Sequence, residues 1–228
     1  MMRSRTLLPL VCIFLIFGAG CNVVRKFKAS REVDNIDALR KRISGESKPA
    51  ALADLRLIVQ HAGSPQRFVR AHVANVLGDL AEPDPGRFSE VTMPVLIELN
   101  RDGEALVRRC AAKSLVKYRR LAKDATAGLV ENIKRYPDAD VAWYSAQALG
   151  KIGEGDAEII QTLTTALGHV GHTPYEYELC KDAATALGDI GPPAAVALPT
   201  LRKQRDAISE RSCRDAIDTA ITKIEHGD

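Results

Sequence analysis

Residue types that bind metal ions are concentrated in one segment of the C-terminal half of the chain. His169 and His172 are followed by Glu176, Glu178 and Cys180. Imidazole, carboxylate and thiolate groups are common ligands of transition metals. The two histidines are three positions apart around a glycine, however, and not four apart on one helix face as in zinc-binding helices. A solvated loop is therefore the simpler interpretation of this segment, and a metal held by His169 and His172 is the alternative.

A second chemical feature is a run of positive charge. Residues 105–123 contain seven cations and no acidic residue. The seven are Arg108, Arg109, Lys113, Lys117, Arg119, Arg120 and Lys123. Such a run favours an acidic segment of another protein as the partner, whereas a solvated helix face is the simpler alternative.

No catalytic centre is indicated by the sequence. It contains no GxSxG nucleophile turn, no Walker loop and no glycine-rich dinucleotide turn before a helix. His61, His72 and His226 are isolated from one another along the chain. We therefore predict a protein that is not an enzyme and that has no catalytic residues and no cofactor.

These residues are carried by a helical pattern that recurs five times. The copies start at Val69, Val107, Val141, Leu179 and Cys213, so successive starts lie 38, 34, 38 and 34 residues apart. Recurrence at this length is typical of proteins built from stacked helical repeats. Such arrays present long surfaces to partners and need no active-site cleft.

Each copy has large and small apolar residues at fixed positions. With the first residue counted as 0, positions 0, +8 and +11 are large and apolar, whereas +4 and +7 are mostly small. These five positions fall on one stripe of a helix. Three copies have glycine at +9, which lets a neighbouring helix approach closely despite costing about 1 kcal/mol in helix propensity. The pattern predicts an all-α protein in which neighbouring helices pack through this stripe.

Residues typical of helix ends divide the chain into five helix pairs behind one N-terminal capping helix at 32–43. The first helices are expected near 50–62, 89–100, 122–135, 156–168 and 194–207. The second helices, which carry the recurring pattern, are expected near 65–81, 104–119, 139–152, 175–190 and 210–226. Helix N-caps are expected at Ser64 with Pro65 as the first helical residue, at Asp138 and Asp156, and at Thr173 before Pro174.

The recurring pattern resembles HEAT repeats, particularly the short bacterial kind found in phycobilisome lyases. The residues that carry the resemblance are the segment from Ala183 to Gly191, which reads AATALGDIG, and the dipeptides Val69-Arg70 and Val107-Arg108. It covers about residues 50–226 and implies an α-solenoid of about five HEAT-like helix pairs, with the second helices lining a concave face. The Val-Arg dipeptide is absent from the last three copies, which leaves open whether an arginine ladder runs through the array. The His-Glu dipeptides that bind iron in HEAT-like hydroxylases are absent as well.

Positions +2, +6 and +10 of the second helices are predicted to lie opposite the apolar stripe. In the middle of the array these positions combine a basic row with Trp143, the only tryptophan of the chain. Arginine and tryptophan are frequent hot spots of protein interfaces. The predicted protein-binding residues are Arg109, Lys113, Lys117, Trp143, Gln147, Lys151 and Lys181. The alternative is a solvated face with Trp143 half-packed at a repeat junction.

The N-terminus has the features of an export signal. Arg3 and Arg5 precede an uncharged run from Leu7 to Phe17, which is too short to span a bilayer as a helix, and small residues follow up to Cys21. The placement of Cys21 after Ala19-Gly20 resembles the lipobox of bacterial lipoproteins, although Gly18 departs from its usual aliphatic residue. The resemblance implies a signal peptide at 1–20, a lipidated Cys21 with a tether at 21–31, and a repeat domain at 32–228. An ordinary cleaved signal or an uncleaved anchor is the alternative.

Charge and cysteine content restrict the partners further. Without the first 20 residues the chain has 30 basic and 29 acidic residues, because only Arg3 and Arg5 are lost. Since nucleic-acid-binding domains usually carry a basic excess, we predict no nucleic-acid partner. Three cysteines, Cys110, Cys180 and Cys213, remain in the repeats. They are expected to be small buried residues, and a disulfide between Cys180 and Cys213 on consecutive second helices stays open.

These features predict a non-catalytic protein–protein interaction scaffold, anchored as a lipoprotein in a bacterial cell envelope and facing the periplasm or the exterior. Its partners would be the membrane, through the lipid, and another protein, with an acidic segment as one candidate. The alternative function is a lyase-like or chaperone-type auxiliary protein that holds a small ligand or a metal. The partner's identity, the choice of membrane and the oligomeric state stay open at this point.

Overall fold

The computed structural model describes residues 28–45, 48–82, 84–135, 139–153, 155–168 and 174–227. The predicted signal peptide, Cys21, His169 and His172, and the caps expected at Asp138 and Thr173 lie outside these ranges. The chain divides into two compact units, Met1–His61 and Ala62–Asp228. The described residues contain helices and no strand, which confirms the all-α prediction. Within them, no helix is long and apolar enough to cross a membrane.

The described part of the first unit consists of two helices. Helix α1 covers residues 28–43, so helical structure extends four residues before the predicted start at 32. Helix α2 is Lys48–Gln60. The Arg42 guanidinium on α1 donates to the Asp54 carboxylate on α2, with Nε 2.7 Å from Oδ2. Because Asp54 is buried, this paired hydrogen bonding compensates the loss of its hydration.

The second unit contains the remaining helices, in the order α3 Arg67–Asp79, α4 Ser89–Leu99, α5 Ala105–Tyr118, α6 Thr126–Arg135, α7 Ala139–Ile152, α8 Ala157–Leu167, α9 Pro174–Ile190, α10 Leu198–Ala207 and α11 Arg211–His226. Their ends lie within four residues of the predicted bounds. Two first helices differ in character, because α6 and α10 are each preceded by a 3₁₀ segment, Arg119–Ala125 and Pro192–Ala197. The four helix pairs predicted within this unit, α4 with α5, α6 with α7, α8 with α9 and α10 with α11, are confirmed.

The second helices pack side by side in chain order, α3 on α5, α5 on α7, α7 on α9 and α9 on α11. Their large stripe residues form the core, as Val107, Leu115 and Tyr118 of α5 are at most 1% exposed. The hydroxyl group of Tyr118 donates to the Leu77 carbonyl of α3 at 2.8 Å. Burial raises the pKa of Tyr118 to about 12, so this phenol stays a hydrogen-bond donor at neutral pH.

The +9 glycines permit the close helix approach that the sequence predicts. A Cβ atom built on Gly150 of α7 would lie 2.6 Å from the Cα of Ala186 on α9. The corresponding distance from Gly188 of α9 to the Cα of Ala220 on α11 is 2.9 Å. Ala186 and Ala220 occupy the small +7 position of the next copy. Glycine at +9 and a small residue at +7 are therefore two halves of one contact between successive repeats.

The expected N-caps are partly confirmed. Asp156 caps α8, because its carboxylate accepts hydrogen bonds from the backbone amides of Glu158 and Ile159 at 2.8 and 3.3 Å. The cap expected at Ser64 is wrong, because α3 begins at Arg67 with Gln66 at the N-cap position. The Ser64 hydroxyl instead accepts from the backbone amide of Gln66 at 3.3 Å. Such a local turn competes with helix initiation at Pro65.

The arginine at position +1 closes the loop between the two helices of a pair. Arg70, Arg108 and Arg214 each donate to the backbone carbonyl six residues upstream, at 2.8–2.9 Å. In the fifth copy the motif is Cys213-Arg214, so the sequence comparison with Val-Arg missed it. Arg70 also forms a two-fold hydrogen bond with Asp102 of the next loop, at 2.7 and 2.9 Å. These arginines stabilise loops, and they do not form a ladder through all five copies.

Candidate functional site

The predicted binding residues lie on one surface of the second unit, which we call the second-helix ridge. It consists of positions +2, +6 and +10 of the five second helices α3, α5, α7, α9 and α11. Because these helices pack in chain order, equivalent positions of successive helices form three rows across the surface. Lys113 and Lys151 are exposed, and the other predicted residues on the ridge are half-buried. The half-buried residues are Arg109, Lys117, Trp143, Gln147 and Lys181.

The +10 row contains two aspartates and three lysines, which form ion pairs across repeats. Lys117 Nζ lies 3.0 Å from Asp79 Oδ1 on the preceding second helix. Asp189 is placed between two lysines, with its carboxylate oxygens 2.6 Å from Lys151 Nζ and 3.2 Å from Lys223 Nζ. Although burial lowers the pKa of Lys117, hydrogen bonds to Asp79 and Glu82 raise it overall. These lysines are therefore joined to neighbouring helices.

The two cations of the +2 row, Arg109 and Lys181, are also paired with acidic groups. Arg109 Nη1 of α5 lies 2.7 Å from Asp140 Oδ2 on α7, and this hydrogen bond raises the pKa of the guanidinium. Lys181 of α9 forms an ion pair with Glu178, one turn earlier on the same helix. Since Asp140 and Glu178 lie just before the recurring pattern of their helices, an examination of +2, +6 and +10 alone overlooks them.

The centre of the ridge contains a buried carboxylate that the sequence analysis missed. Asp182 of α9 is 8% exposed, and it accepts a hydrogen bond from Gln147 Nε2 of α7 at 3.0 Å. Burial raises the pKa of Asp182 to about 6, although Gln147, Lys181 and the Trp143 indole favour its charged form. Trp143 Nε1 has no hydrogen bond of normal geometry, so the indole acts on Asp182 only by proximity. An acidic residue at +3 within an Ala- and Cys-rich helix was the available sequence signal.

Lys113 differs from the other predicted cations. It is exposed at the +6 position of α5, and no ion pair to it occurs within the described residues. Its neighbours in the +6 row are uncharged, namely Asn75 of α3, Gln147 of α7 and Thr185 of α9. The predicted basic row is thus largely neutralised by neighbouring helices, and Lys113 is its uncommitted charge in the described part of the chain. That these residues bind a protein stays a prediction.

Two other kinds of candidate site, a metal site and a surface depression, have less support in the described structure than the second-helix ridge. In the described ranges, no group of three or more His, Cys, Asp or Glu residues could hold a metal ion, and His169 and His172 lie outside those ranges. An open depression of about 610 Å³ lies between the loop at 100–103 and α6. Its Arg108 is committed to backbone carbonyls, and its Arg135 lies 2.5 Å from Glu131. These two arginines of the depression are therefore already engaged within the chain.

Comparison with known proteins identifies the fold and no family. No protein-family model and no curated protein sequence matches the chain. An engineered protein has 20% identity and a TM-score of 0.65, over 87% of this chain and 92% of its own. The complex of CpcE and CpcF of phycocyanin lyase from Nostoc sp. PCC7120 has 21% identity and a TM-score of 0.61, over 75% of this chain and 64% of its own. A designed armadillo repeat protein in complex with the peptide (KR)4 has 13% identity and a TM-score of 0.55, over 82% of this chain and 98% of its own. At these identities the likeness shows a helical-repeat fold of the HEAT and armadillo type and nothing more specific.

Proposed function

We propose that this chain is a non-catalytic scaffold that binds another protein along the second-helix ridge. The observation that carries the proposal is the continuity of the ridge, because five second helices place equivalent and mostly polar positions in rows on one surface of the second unit. Stacked helical repeats use such extended surfaces to bind partners. The helical-repeat fold is compatible with this role, and the structure of the designed armadillo repeat protein that resembles this chain contains a bound peptide.

The ridge favours a partner segment with acidic and apolar groups. Lys113 offers an exposed ammonium without an ion pair among the described residues, and the half-buried Trp143 on the next helix offers an aromatic surface. Tyr144 stacks against Trp143 with ring centroids 5.1 Å apart, which limits the side-chain freedom that binding would cost. The ion-paired charged residues around Lys113 and Trp143 would restrict the orientation of a bound partner more than they would add to its affinity.

The test is a crosslinking pull-down from native membranes with variants that leave the internal ion pairs intact. Arg109→Glu is unsuitable alone, because it would place two carboxylates together at Asp140. Lys113→Glu combined with Trp143→Ala changes the ridge at residues without an ion pair in the described structure. Lys203→Glu on α10 is the matched control, since Lys203 is exposed and has no ion pair in the described ranges.

We expect the intact chain and the Lys203→Glu control to capture the same envelope protein, and the double variant to lose it. The captured protein is then identified by mass spectrometry and used as bait in the reverse experiment. Circular dichroism establishes that the double variant keeps its helices. Equal capture by all three chains would show that this part of the ridge is only a solvated surface.

We also propose that a lipid on Cys21 anchors the chain in a bacterial envelope membrane, with the repeats facing the periplasm or the exterior. The support is the N-terminal sequence alone, in which Arg3 and Arg5, an apolar run and small residues precede Cys21. More than one acyl chain gives stable anchoring, whereas a single chain gives marginal binding. Fatty-acid labelling should mark the intact chain and spare Cys21→Ser. Labelling of both, or of neither, would contradict the anchor without affecting the ridge.

A further inference from the structure

Two cysteines meet at the contact between the last two second helices. Cys180 Sγ on α9 lies 2.9 Å from Cys213 Sγ on α11, and both residues have no exposed surface. A disulfide joins its sulfurs at about 2.0 Å, so bond formation requires an approach of about 1 Å. The remaining cysteine of the described ranges, Cys110 on α5, has no cysteine beside it.

The two thiols are not chemically equivalent. Cys213 is the third residue of α11, and its backbone amide donates to the carboxylate of the N-cap residue Glu210. A thiolate in the first turn of a helix is stabilised by the helix dipole. The neighbouring Cys180 thiol lowers the pKa of Cys213 overall, although burial and the carboxylates of Glu210 and Glu178 raise it, whereas the contact with Cys213 and burial both raise the pKa of Cys180. Cys213 is thus the attacking thiol and Cys180 the resolving one.

We propose that Cys180 and Cys213 are a redox-active pair that forms a reversible disulfide between α9 and α11 by exchange with a small-molecule or protein disulfide. The Cys213 thiolate attacks one sulfur of that disulfide and forms a mixed disulfide, and the other sulfur leaves as a thiolate. The Cys180 thiolate then attacks Cys213 Sγ and expels the second thiolate. Two cysteine thiols are oxidised, the oxidant is reduced to two thiols, and the two protons pass to those leaving groups.

The burial of both sulfurs determines when the exchange occurs. An oxidant reaches Cys213 only when the first turn of α11 moves away from α9. Helix α11 packs against α9, α10 and the 3₁₀ segment Pro192–Ala197, and the opening of a single helical turn needs less free energy than global unfolding. Once formed, the disulfide closes a loop between positions 33 apart and opposes that opening.

The first test is disulfide mapping of the full chain after incubation with oxidised glutathione and alkylation of the remaining thiols. We expect a linked peptide pair containing Cys180 and Cys213, which disappears after reduction with dithiothreitol. Cys110→Ser is the matched control and should keep the link, whereas Cys213→Ser should abolish it. Two alkylated thiols at 180 and 213, or a glutathione retained on either, would overturn the proposal. The wild-type chain alone decides this if Cys213→Ser does not fold.

The second test measures what the bond does to the helix. Amide hydrogen exchange in α11 should slow about 30-fold in the oxidised chain relative to the reduced chain, as expected for a disulfide that restricts the opening of α11 from α9. Exchange in α3 should stay the same, because α3 lies four second helices away along the stack. Equal amide exchange of α11 in the oxidised and reduced chains would show that the disulfide does not hold α11 against α9. Neither test depends on the proposed protein-binding function.

Discussion

Replacing Gly150 by alanine tests the central packing contact of the repeats. In an ordinary helix interior, glycine to alanine gains about 1 kcal/mol of stability. Here the new Cβ would lie 2.6 Å from the Cα of Ala186, whereas ordinary contacts begin at 3.4 Å. The obstacle is backbone, so α7 and α9 must separate by at least 0.8 Å. Overpacking costs about 1–3 kcal/mol, and we assign the upper end because side-chain rotation gives no relief.

The expected net effect is a loss of about 2 kcal/mol in the free energy of unfolding. Two further glycines provide a graded series. At Gly188 the Cβ would lie 2.9 Å from the Cα of Ala220, and at Gly103 it would meet nothing within 4 Å. Gly188→Ala should therefore cost less than Gly150→Ala. Gly103→Ala should be neutral or should stabilise by about 0.4–1 kcal/mol, because it only restricts the unfolded chain.

The assay is urea unfolding followed by circular dichroism at a helix-sensitive wavelength, with midpoint and slope compared across the three variants. We expect Gly103→Ala to be the most stable variant, followed by Gly188→Ala and then by Gly150→Ala. If Gly150→Ala proved as stable as the wild type, the helices would not be in close contact there. If Gly188→Ala were less stable than Gly150→Ala, the cost of the added Cβ would not follow its distance from the neighbouring backbone.

Two further predictions concern groups away from this contact. Burial raises the pKa of Asp182 to about 6, whereas in the unfolded chain it has an ordinary value near 4. The folded chain therefore holds a proton that the unfolded chain releases, and the contribution of Asp182 to stability should fall as the pH rises from about 4 to about 6. Asp182→Asn should lack that loss of stability and should be the more stable protein at pH 7. The measurement is the urea midpoint of both proteins at about pH 4 and at pH 7. The same pH dependence in both proteins would contradict the raised pKa of Asp182. Arg214→Ala removes the hydrogen bonds to the Ile208 carbonyl and should cost about 1 kcal/mol. Lys203→Ala is its exposed control, and an equal thermal midpoint for both would show that the loop does not need the arginine.

The comparison of sequence and structure explains why some features were predictable. The helix bounds followed from local periodicity, because residues three and four apart share a helix face regardless of the rest of the chain. The +9 glycines were equally legible, since glycine in a helix interior is costly and indicates close approach. The misplaced N-cap at Ser64 and the 3₁₀ segments before α6 and α10 show the limit of this reasoning. Helix ends depend on competing side-chain hydrogen bonds that short patterns describe poorly.

The second-helix ridge likewise has features that the sequence predicts and features that depend on tertiary packing. The sequence alone determined which residues lie on the second-helix ridge, that they include a concentration of cations, and that Trp143 lies beside them. Only the tertiary structure decided that most of those cations are already paired and that Asp182 is buried at their centre. It also decided that Cys180 and Cys213 touch. Lys117 and Asp79 are 38 residues apart, and Cys180 and Cys213 are 33 apart. The physical reason is that such contacts depend on the register and separation of packed helices, which no periodicity within one helix contains.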